Sequence, residues 1–243
     1  MFLVVLGLVV GVIGYEAIML VRVSSLRRGN PTSTSLIDTR IREAEAEGQQ
    51  PRREQVWVPL ERISPNLQRA VLAGEDTNFT THRGFDYEAI QKAFEQAQRE
   101  TARQAKAEGE DDDWLPSLPE FKRGGSTISQ QLAKNLYLSS QRSFLRKGQE
   151  AALTIMLERM LSKRRILEIY LNVIEWGDGI YGAEAASQRY FRKPASALTA
   201  SEAAYLSAMI PNPRTVFNPQ VNPRRVARRQ RIILRGMPYV KLP

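Results

Sequence analysis

The N-terminal stretch of the chain is almost uniformly apolar. Residues 1–21 read MFLVVLGLVVGVIGYEAIMLV, and Glu16 is the single charged residue among them. A helix of this length, at about 1.5 Å per residue, crosses a hydrocarbon core of about 30 Å. A cleaved signal peptide would show a basic start and a cleavage site between small residues, and neither is clear here. The pattern therefore favours a retained transmembrane anchor over residues 1–21.

Polar residues dominate the next segment. Residues 24–55 are rich in Ser, Thr, Arg, Glu, Gln and Gly and contain few apolar residues. This composition predicts a stalk or linker over residues 22–58, with a short helix near residues 38–47. Apolar residues resume at helical spacing beyond it. We assign residues 59–220 to a folded domain and residues 221–243 to a basic C-terminal helix or tail.

The folded domain has the pattern of a mainly α protein. Ser64-Pro65 has the form of an N-cap followed by proline at the first helical position, and Leu67 and Val71 follow at helical spacing. Further helices are predicted over residues 87–107, 128–138, 149–176, 183–190, 201–209 and 224–234. The run 149–176 lacks Gly and Pro and fits one long helix or two abutting ones. No stretch shows convincing strand alternation.

The composition excludes several kinds of chemistry. The chain has 243 residues, no cysteine and a single histidine, His82. Disulfides, thiolate metal sites, a cysteine nucleophile and a histidine-rich metal site are therefore excluded. Carboxylates must then carry any proton transfer near neutral pH.

Positive charge is concentrated at the C-terminus. Residues 214–243 hold eight basic residues and no acidic one, so they account for most of the net charge of +9. Such a segment suits anionic lipid headgroups, phosphates or nucleic acid, and a solvated helix face explains it equally well. Aromatic residues are sparse within it, which weakens the nucleic-acid interpretation.

Two places in the sequence offer carboxylates for catalysis. Glu75 and Asp76 are adjacent at a predicted helix end, where burial can raise one pKa while hydrogen bonding lowers the other. An isolated pair of this kind is more often surface charge. Glu150 opens the apolar helix AALTIML, and its alternative role is that of a first-turn acid favoured by the helix dipole.

A glycine-rich stretch and a polar helix face offer an anion site. The residues GGST at 124–127 precede a helix and can present backbone N–H groups to an anion. The spacing places four polar residues on one face of that helix, where they line a cleft or face solvent: Thr127, Gln130, Gln131 and Lys134. Arg142, Arg146 and Lys147 add cations shortly afterwards, with ordinary surface charge as the alternative.

Five ordered motifs resemble those of the peptidoglycan glycosyltransferases, glycosyltransferase family 51. Residues 75–86 (EDTNFTTHRGFD) resemble E-D-x-x-F-x-x-H-x-G-x-D, and residues 124–135 (GGSTISQQLAKN) resemble G-G-S-T-I-T-Q-Q-x-x-K-N. Residues 146–150 fit R-K-x-x-E, residues 163–172 fit K-x-x-I-L-E-x-Y-L-N, and residues 179–214 resemble the fifth region. Five motifs in this order make a chance match untenable.

The resemblance implies a lysozyme-like fold of two lobes and a monofunctional enzyme without a transpeptidase domain. It implies that lipid II is the acceptor and that a growing glycan on undecaprenyl pyrophosphate is the donor, with inversion at the reacting carbon. It also implies a single-pass protein of the cytoplasmic (inner) membrane whose catalytic domain lies on the outer, periplasmic face. Arg22, Arg27 and Arg28 follow the apolar span and favour the opposite orientation. We follow the family, because lipid II is polymerised on the outer face.

The resemblance also assigns roles to residues. Glu75 is the general base, and Glu150 positions the donor or organises the neighbouring cations. The substrate-binding positions are Asp76, Phe79, His82, Ser126, Thr127, Gln130, Gln131, Lys134, Asn135, Arg142, Arg146, Lys147 and Lys163. No cofactor is required, and a magnesium or manganese ion near Glu150 is left open. The expected partners are the lipid substrates and the cytoplasmic membrane, with cell-division or wall-synthesis proteins left open and nucleic acid excluded.

Two departures and one alternative accompany the resemblance. Ser129 stands where the family usually has threonine, which keeps the hydroxyl group. The stretch between Asp86 and Gly124 is longer and more acidic than usual, especially over residues 108–119. The alternative function is a lysozyme-like lytic glycan hydrolase, which would use a glutamate as general acid. A hydrolase would need neither cations for a pyrophosphate nor a retained anchor.

Overall fold

A computed structural model of the chain describes residues 2–92, 94–95, 98–99, 126–138 and 143–243. These residues form a mainly helical fold, as the apolar spacing predicted. The helices are α1 (Phe2–Ser25), α2 (Ser35–Ala46), α3 (Pro65–Glu75), α4 (described over residues 87–92), α5 (Ile128–Tyr137), α6 (Phe144–Met160), α7 (Lys163–Val173), α8 (Ala183–Phe191), α9 (Ala200–Met209) and α10 (Pro223–Gly236). Short 3-10 turns cover Leu60–Arg62, Ala195–Ala197 and Met237–Tyr239. This helical content fits the lysozyme-like class, and the division into two lobes stays a prediction.

Several predicted features lie outside the described residues. They are Gly124, Gly125, Arg142, the acidic stretch 108–119 and the later part of the helix predicted over residues 87–107.

Helix boundaries follow local capping signals. Ser64 Oγ accepts a hydrogen bond from a backbone N–H at 3.2 Å, and Pro65 opens α3, as predicted. Ser162 caps α7 by accepting from the Arg165 amide at 3.2 Å. The predicted run is therefore divided between two abutting helices up to residue 173, and its last two residues lie in a strand instead.

A small sheet, which the sequence did not predict, supports one side of the fold. Its strands β1 (Glu54–Gln55), β2 (Glu175–Gly177) and β3 (Ile180–Tyr181) lie in the order β1-β3-β2. β1 is parallel to β3, β2 is antiparallel to it, and Glu175 lies opposite Tyr181. Strands of two or three residues are too short to show alternation in a sequence. Gly179 makes the tight β2–β3 turn at φ +72°, where an added Cβ would lie 2.5 Å from the Arg52 side chain.

Helix α1 contacts the folded body at its C-terminal end. Met19 and Val23 are buried in the hydrophobic core cluster, and α1 packs against α6. Among the residues whose side chains the structure describes, no helix is both long and apolar enough to span a membrane.

Helix α2 lies within residues 22–58, for which the composition predicted a stalk. Thr34 caps the helix by accepting from the Ile37 amide at 3.1 Å, and Ile37 is fully buried. Ser35 Oγ donates to the Leu138 carbonyl oxygen at 2.9 Å, which ties α2 to the end of α5. Residues 35–46 therefore form a wall of the folded body and do not extend away from it.

Helix α10 occupies most of the predicted basic C-terminal segment. Val226 and Ile233 are buried where the helix packs against α9 and α3. Burying an aliphatic side chain contributes about 1.5–3 kcal/mol. These apolar contacts hold α10 on the body, while Arg224, Arg225 and Arg228 face solvent.

Candidate active site

Two neighbouring concavities contain most of the predicted site residues. A cleft of about 520 Å³ is lined by residues of α2, α5, α6 and the segment 210–214. A pocket of about 220 Å³ lies next to it, and Ser126 lines both. Glu75 and Asp76 line the pocket, whereas Glu150 lines the cleft. Other predicted residues that line the cleft are Gln130, Gln131, Lys134, Asn135, Arg146 and Lys147.

Glu75 is held at the end of α3 by contacts to two other helices. Its Oε2 accepts a hydrogen bond from Gln131 Nε2 at 3.0 Å, and its Oε1 accepts one from Arg229 Nη2 at 2.7 Å. The side chain is only 9% exposed. Burial raises the pKa of Glu75, and Arg229, Gln131 and Lys134 oppose that rise. The result is a fixed and shielded carboxylate that binds a proton more readily than an exposed one.

The orientation of Gln131 is set by a buried tyrosine. Tyr170 O–H donates to Gln131 Oε1 at 2.8 Å, so the amide N–H₂ group of Gln131 faces Glu75. Burial raises the pKa of Tyr170 well above its ordinary value, which keeps the phenol protonated as a donor. Sequence reasoning quoted Tyr170 only as part of a motif. Its partner lies 39 residues away, and no local pattern signals that contact.

Arg229 is the second residue that sequence reasoning missed. The basic charge of residues 214–243 suggested contacts to lipid or phosphate, but Arg229 Nη2 also donates to the Gly74 carbonyl oxygen at 2.9 Å. Its guanidinium lies 5.4 Å from the centre of the Phe217 ring. Helix α10 thus supplies a cation to the candidate base.

Asp76 and His82 fasten the loop that follows α3. His82 Nε2 lies 2.9 Å from Asp76 Oδ1, and the Ile128 amide donates to Asp76 Oδ2 at 2.9 Å. The Gly84 amide donates to His82 Nδ1 at 3.1 Å, so Nδ1 is the unprotonated nitrogen and Nε2–H donates to Asp76. Both side chains therefore connect this loop to the start of α5.

Thr127 and Gln130 are used in capping α5. Thr127 Oγ1 accepts from the Gln130 amide at 3.2 Å, and Gln130 Oε1 accepts from the Thr127 amide at 3.0 Å. Thr127 Oγ1 also donates to the Gly84 carbonyl oxygen at 2.7 Å. These bonds fix the helix that carries Gln131 and Lys134.

A cluster of positive charge surrounds Glu150. Its side chain is 5% exposed, and its Oε2 accepts from Arg146 Nη1 at 3.0 Å. Lys147 Nζ donates to the other carboxylate oxygen. Desolvation in the cleft lowers the pKa of Lys134, with Arg146 and Lys147 acting in the same direction and Glu150 and Glu75 opposing them. Cations held this close together favour an anionic ligand between them.

Phe79 and Lys163 lie outside the walls of the cleft and the pocket. Lys163 Nζ lies 2.7 Å from Glu158 Oε1 and 4.4 Å from the centre of the buried Phe79 ring. Ser129 Oγ donates to the same Glu158 oxygen, which accounts for the retained hydroxyl at that position. The interacting groups of Phe79 and Lys163 are thus engaged inside the body, and their contacts with substrate stay a prediction. His82 also lies outside both walls, and its two ring nitrogens are bonded to Asp76 and to the Gly84 amide.

The donor set around Glu150 does not suit a divalent cation. Both carboxylate oxygens already accept from cationic side chains. In the part of the chain that the structure describes, no group of three or more His, Asp or Glu side chains is arranged to hold a metal ion. Magnesium prefers octahedral oxygen ligands, which this site does not assemble.

The fold and site define a group-transfer enzyme, with a shielded base next to a cation-lined cleft. The family model described as Transglycosylase matches residues 42–109 and 115–238. The chain is 44% identical over 243 residues to a biosynthetic peptidoglycan transglycosylase of Chromobacterium violaceum. The aligned region covers 100% of this chain and 98% of that relative. It is 48% identical over 214 residues to a protein of the same name from Thiobacillus denitrificans, at coverages of 88% and 84%. The chain therefore belongs to the transglycosylase family.

Proposed function

We propose that the chain polymerises lipid II by transferring a growing glycan from undecaprenyl pyrophosphate to the 4-hydroxyl of an incoming lipid II. Membership of the transglycosylase family makes it a peptidoglycan glycosyltransferase of cell wall biosynthesis. Both relatives are named as biosynthetic transglycosylases, and the comparisons give no support to a lytic hydrolase. The observation that carries the proposal is the position of Glu75, held between Gln131 and Arg229 beside the cation-lined cleft.

Glu75 acts as the general base in this proposal. The acceptor binds in the pocket that Glu75 lines, and its 4-hydroxyl oxygen attacks the anomeric carbon of the donor sugar. The hydroxyl proton passes to Glu75 as the new C–O bond forms. Attack from the face opposite the leaving group inverts the configuration at that carbon.

The cations of the cleft stabilise the leaving group. As the bond between the anomeric carbon and the phosphate oxygen breaks, its electron pair leaves with undecaprenyl pyrophosphate. Lys134, Arg146 and Lys147 all line the cleft, where fixed positive charges can offset that developing negative charge. Lys134 carries the most direct role, because it makes no ion pair with the described residues while the other two contact Glu150.

Glu150 organises the cation cluster in this proposal. Its carboxylate holds Arg146 and Lys147 through separate oxygens, so the two cations are fixed before the donor binds. Such preorganisation removes the free-energy cost of orienting charges during the reaction. No step of the proposed reaction passes through a metal ion.

We further propose that the protein is a single-pass component of the cytoplasmic (inner) membrane with its catalytic domain on the periplasmic face. The support is the apolar sequence of residues 1–21, of which residues 2–21 lie in α1, together with a lipid-linked substrate. The exposed arginines of α10 suit anionic headgroups.

Incubation of the full chain with labelled lipid II, followed by gel separation of polymer from monomer, tests the proposal. Wild-type protein should form polymer, and E75Q should form almost none, because a positioned general base contributes about 10²–10⁴ in rate. E61Q is the matched control, since Glu61 is 66% exposed and pairs with Arg164. Substantial polymer from E75Q, or cleavage of finished glycan without consumption of lipid II, would overturn the proposal.

A further inference from the structure

A third carboxylate, Glu175 of β2, lines the same cleft as Glu150. Its side chain is 6% exposed, and the two N–H groups of Arg40 that reach it converge on one oxygen. Arg40 Nε and Nη2 donate to Oε2 at 3.2 and 3.0 Å. An arginine facing a carboxylate commonly bonds both oxygens, one with each N–H group. Here Oε1 is buried and has no hydrogen-bond partner among the described residues.

The free oxygen of Glu175 can accept a hydrogen bond from a ligand. Burial raises the pKa of this carboxyl, and the guanidinium of Arg40 opposes that rise. An ionised carboxylate only accepts hydrogen bonds, so an anionic ligand group is excluded at Oε1. A buried polar atom without a partner is uncommon in native proteins and indicates a bound water or ligand.

Glu175 belongs to a network of ion pairs that includes Arg40 and Arg214. Arg40 also donates to Glu43 at 2.8 Å, and Arg214 contacts Glu43 at 3.4 Å and Asp178 at 3.3 Å. Arg40 and Arg214 line the cleft, whereas Glu43 and Asp178 do not. This network therefore offers control residues that share the partners of Glu175 but not its place in the cleft wall.

We propose that Glu175 is a specificity-determining residue of the donor cleft, where its free oxygen accepts a hydrogen bond from an O–H or acetamido N–H group of the bound glycan. The inference rests on the proposed function, because it places the glycan donor in this cleft. Amino-sugar polymers present such neutral donors along their length. Glu175 binds the glycan away from the reacting bond, so it acts on donor affinity and not on the chemical step.

Steady-state kinetics with lipid II and E175Q test this role. The glutamine turns an N–H₂ group toward the glycan while its oxygen stays on Arg40, so two donors face each other. KM should rise about ten- to hundredfold, the range for a lost hydrogen bond to a charged group, while kcat stays within about twofold. E43Q is the matched control, because it removes a shared partner of Arg40 and Arg214 and should leave KM unchanged. Where E175Q lowers the melting temperature, E175D replaces it, since this variant keeps the charge and withdraws the carboxylate by one methylene.

Two outcomes bear on the role of Glu175, and a third bears on the proposed function. An unchanged KM in E175Q would mean that water alone occupies the site, and this would overturn the inference. An equal rise of KM in E43Q would also overturn it, because the effect would then come from the attachment of α2. Failure of the wild-type protein to polymerise lipid II would overturn the proposed function itself.

Discussion

Replacing Arg229 with glutamine should move the acid limb of the pH–rate profile to higher pH. Arg229 Nη2 lies 2.7 Å from Glu75 Oε1 and stabilises the ionised carboxylate, which burial destabilises. An opposite charge at this range lowers a carboxyl pKa by about 1–3 units. The Arg229 side chain is 26% exposed, so water screens part of the interaction and the lower end applies. Removal of the charge should therefore raise the pKa of Glu75 further and move the acid limb to higher pH.

The assay is the initial rate of polymer formation in detergent, measured from acidic to mildly alkaline pH. The general base must be ionised, so activity rises with pH through the pKa of Glu75 and then reaches a plateau. Below the limb, R229Q should be about tenfold slower than wild type, and the difference should shrink toward the plateau. R228Q is the matched control, because Arg228 is exposed on the same helix. An unshifted limb in R229Q, or an equal shift in R228Q, would refute the assignment of Glu75 as the titrating base.

Three further predictions test the site and its boundaries. K134A should lose about 10²–10³ in polymerisation rate with an unchanged melting temperature. K92A, at an exposed lysine, is the control and should stay near wild type. A loss below about twofold in K134A would mean that Lys134 does not contact the leaving group. Y170F should slow polymerisation and lower the free energy of unfolding by about 1 kcal/mol, while Y190F, which loses a 3.1 Å bond to the Trp176 carbonyl oxygen, should affect unfolding alone. Deletion of residues 1–21 should leave a body that is folded by circular dichroism, active in detergent and only weakly bound to membranes. Its stability should fall modestly, because buried Met19 is lost. An unfolded product would place the anchor within the domain core.

The sequence predicted those parts of the fold that depend on neighbours within one helical turn. The Ser64 cap of α3 uses a partner two residues away, so the chain itself displays it. The capping box of Thr127 and Gln130 is equally local, but the helical spacing placed both residues only on a polar helix face. The sequence shows that the residues packing α2 and α10 onto the body are apolar, but no neighbouring residue in the chain indicates which elements cover them. Ile37 and Ile233 are buried by distant elements. The polar composition around Ile37 predicted a stalk, and the basic segment around Ile233 predicted a helix or tail without showing what it packs against.

The electrostatics of the base depend on contacts that no sequence pattern contains. Arg229 and Glu75 are 154 residues apart, and Arg40 and Glu175 are 135 residues apart. The first pair forms where α10 packs against α3, and the second joins the side chain of an α2 residue to one of β2. Both contacts fix charges that would otherwise be solvated. The motifs singled out Glu75 and Glu150, which line the pocket and the cleft, but they gave no basis for choosing among the many arginines of the chain.

The motif residues differ in whether their polar atoms are free to bind a ligand. Asp76, His82 and Thr127 belong to the motifs, yet their polar atoms are bonded to other parts of the protein. Substrate binding there would require breaking bonds that fix the start of α5. Two atoms buried without partners among the described residues, Arg146 Nε and Glu175 Oε1, belong to residues of the cleft wall. One is a donor suited to phosphate and the other an acceptor suited to sugar, which matches the two chemical halves of a glycan linked to pyrophosphate.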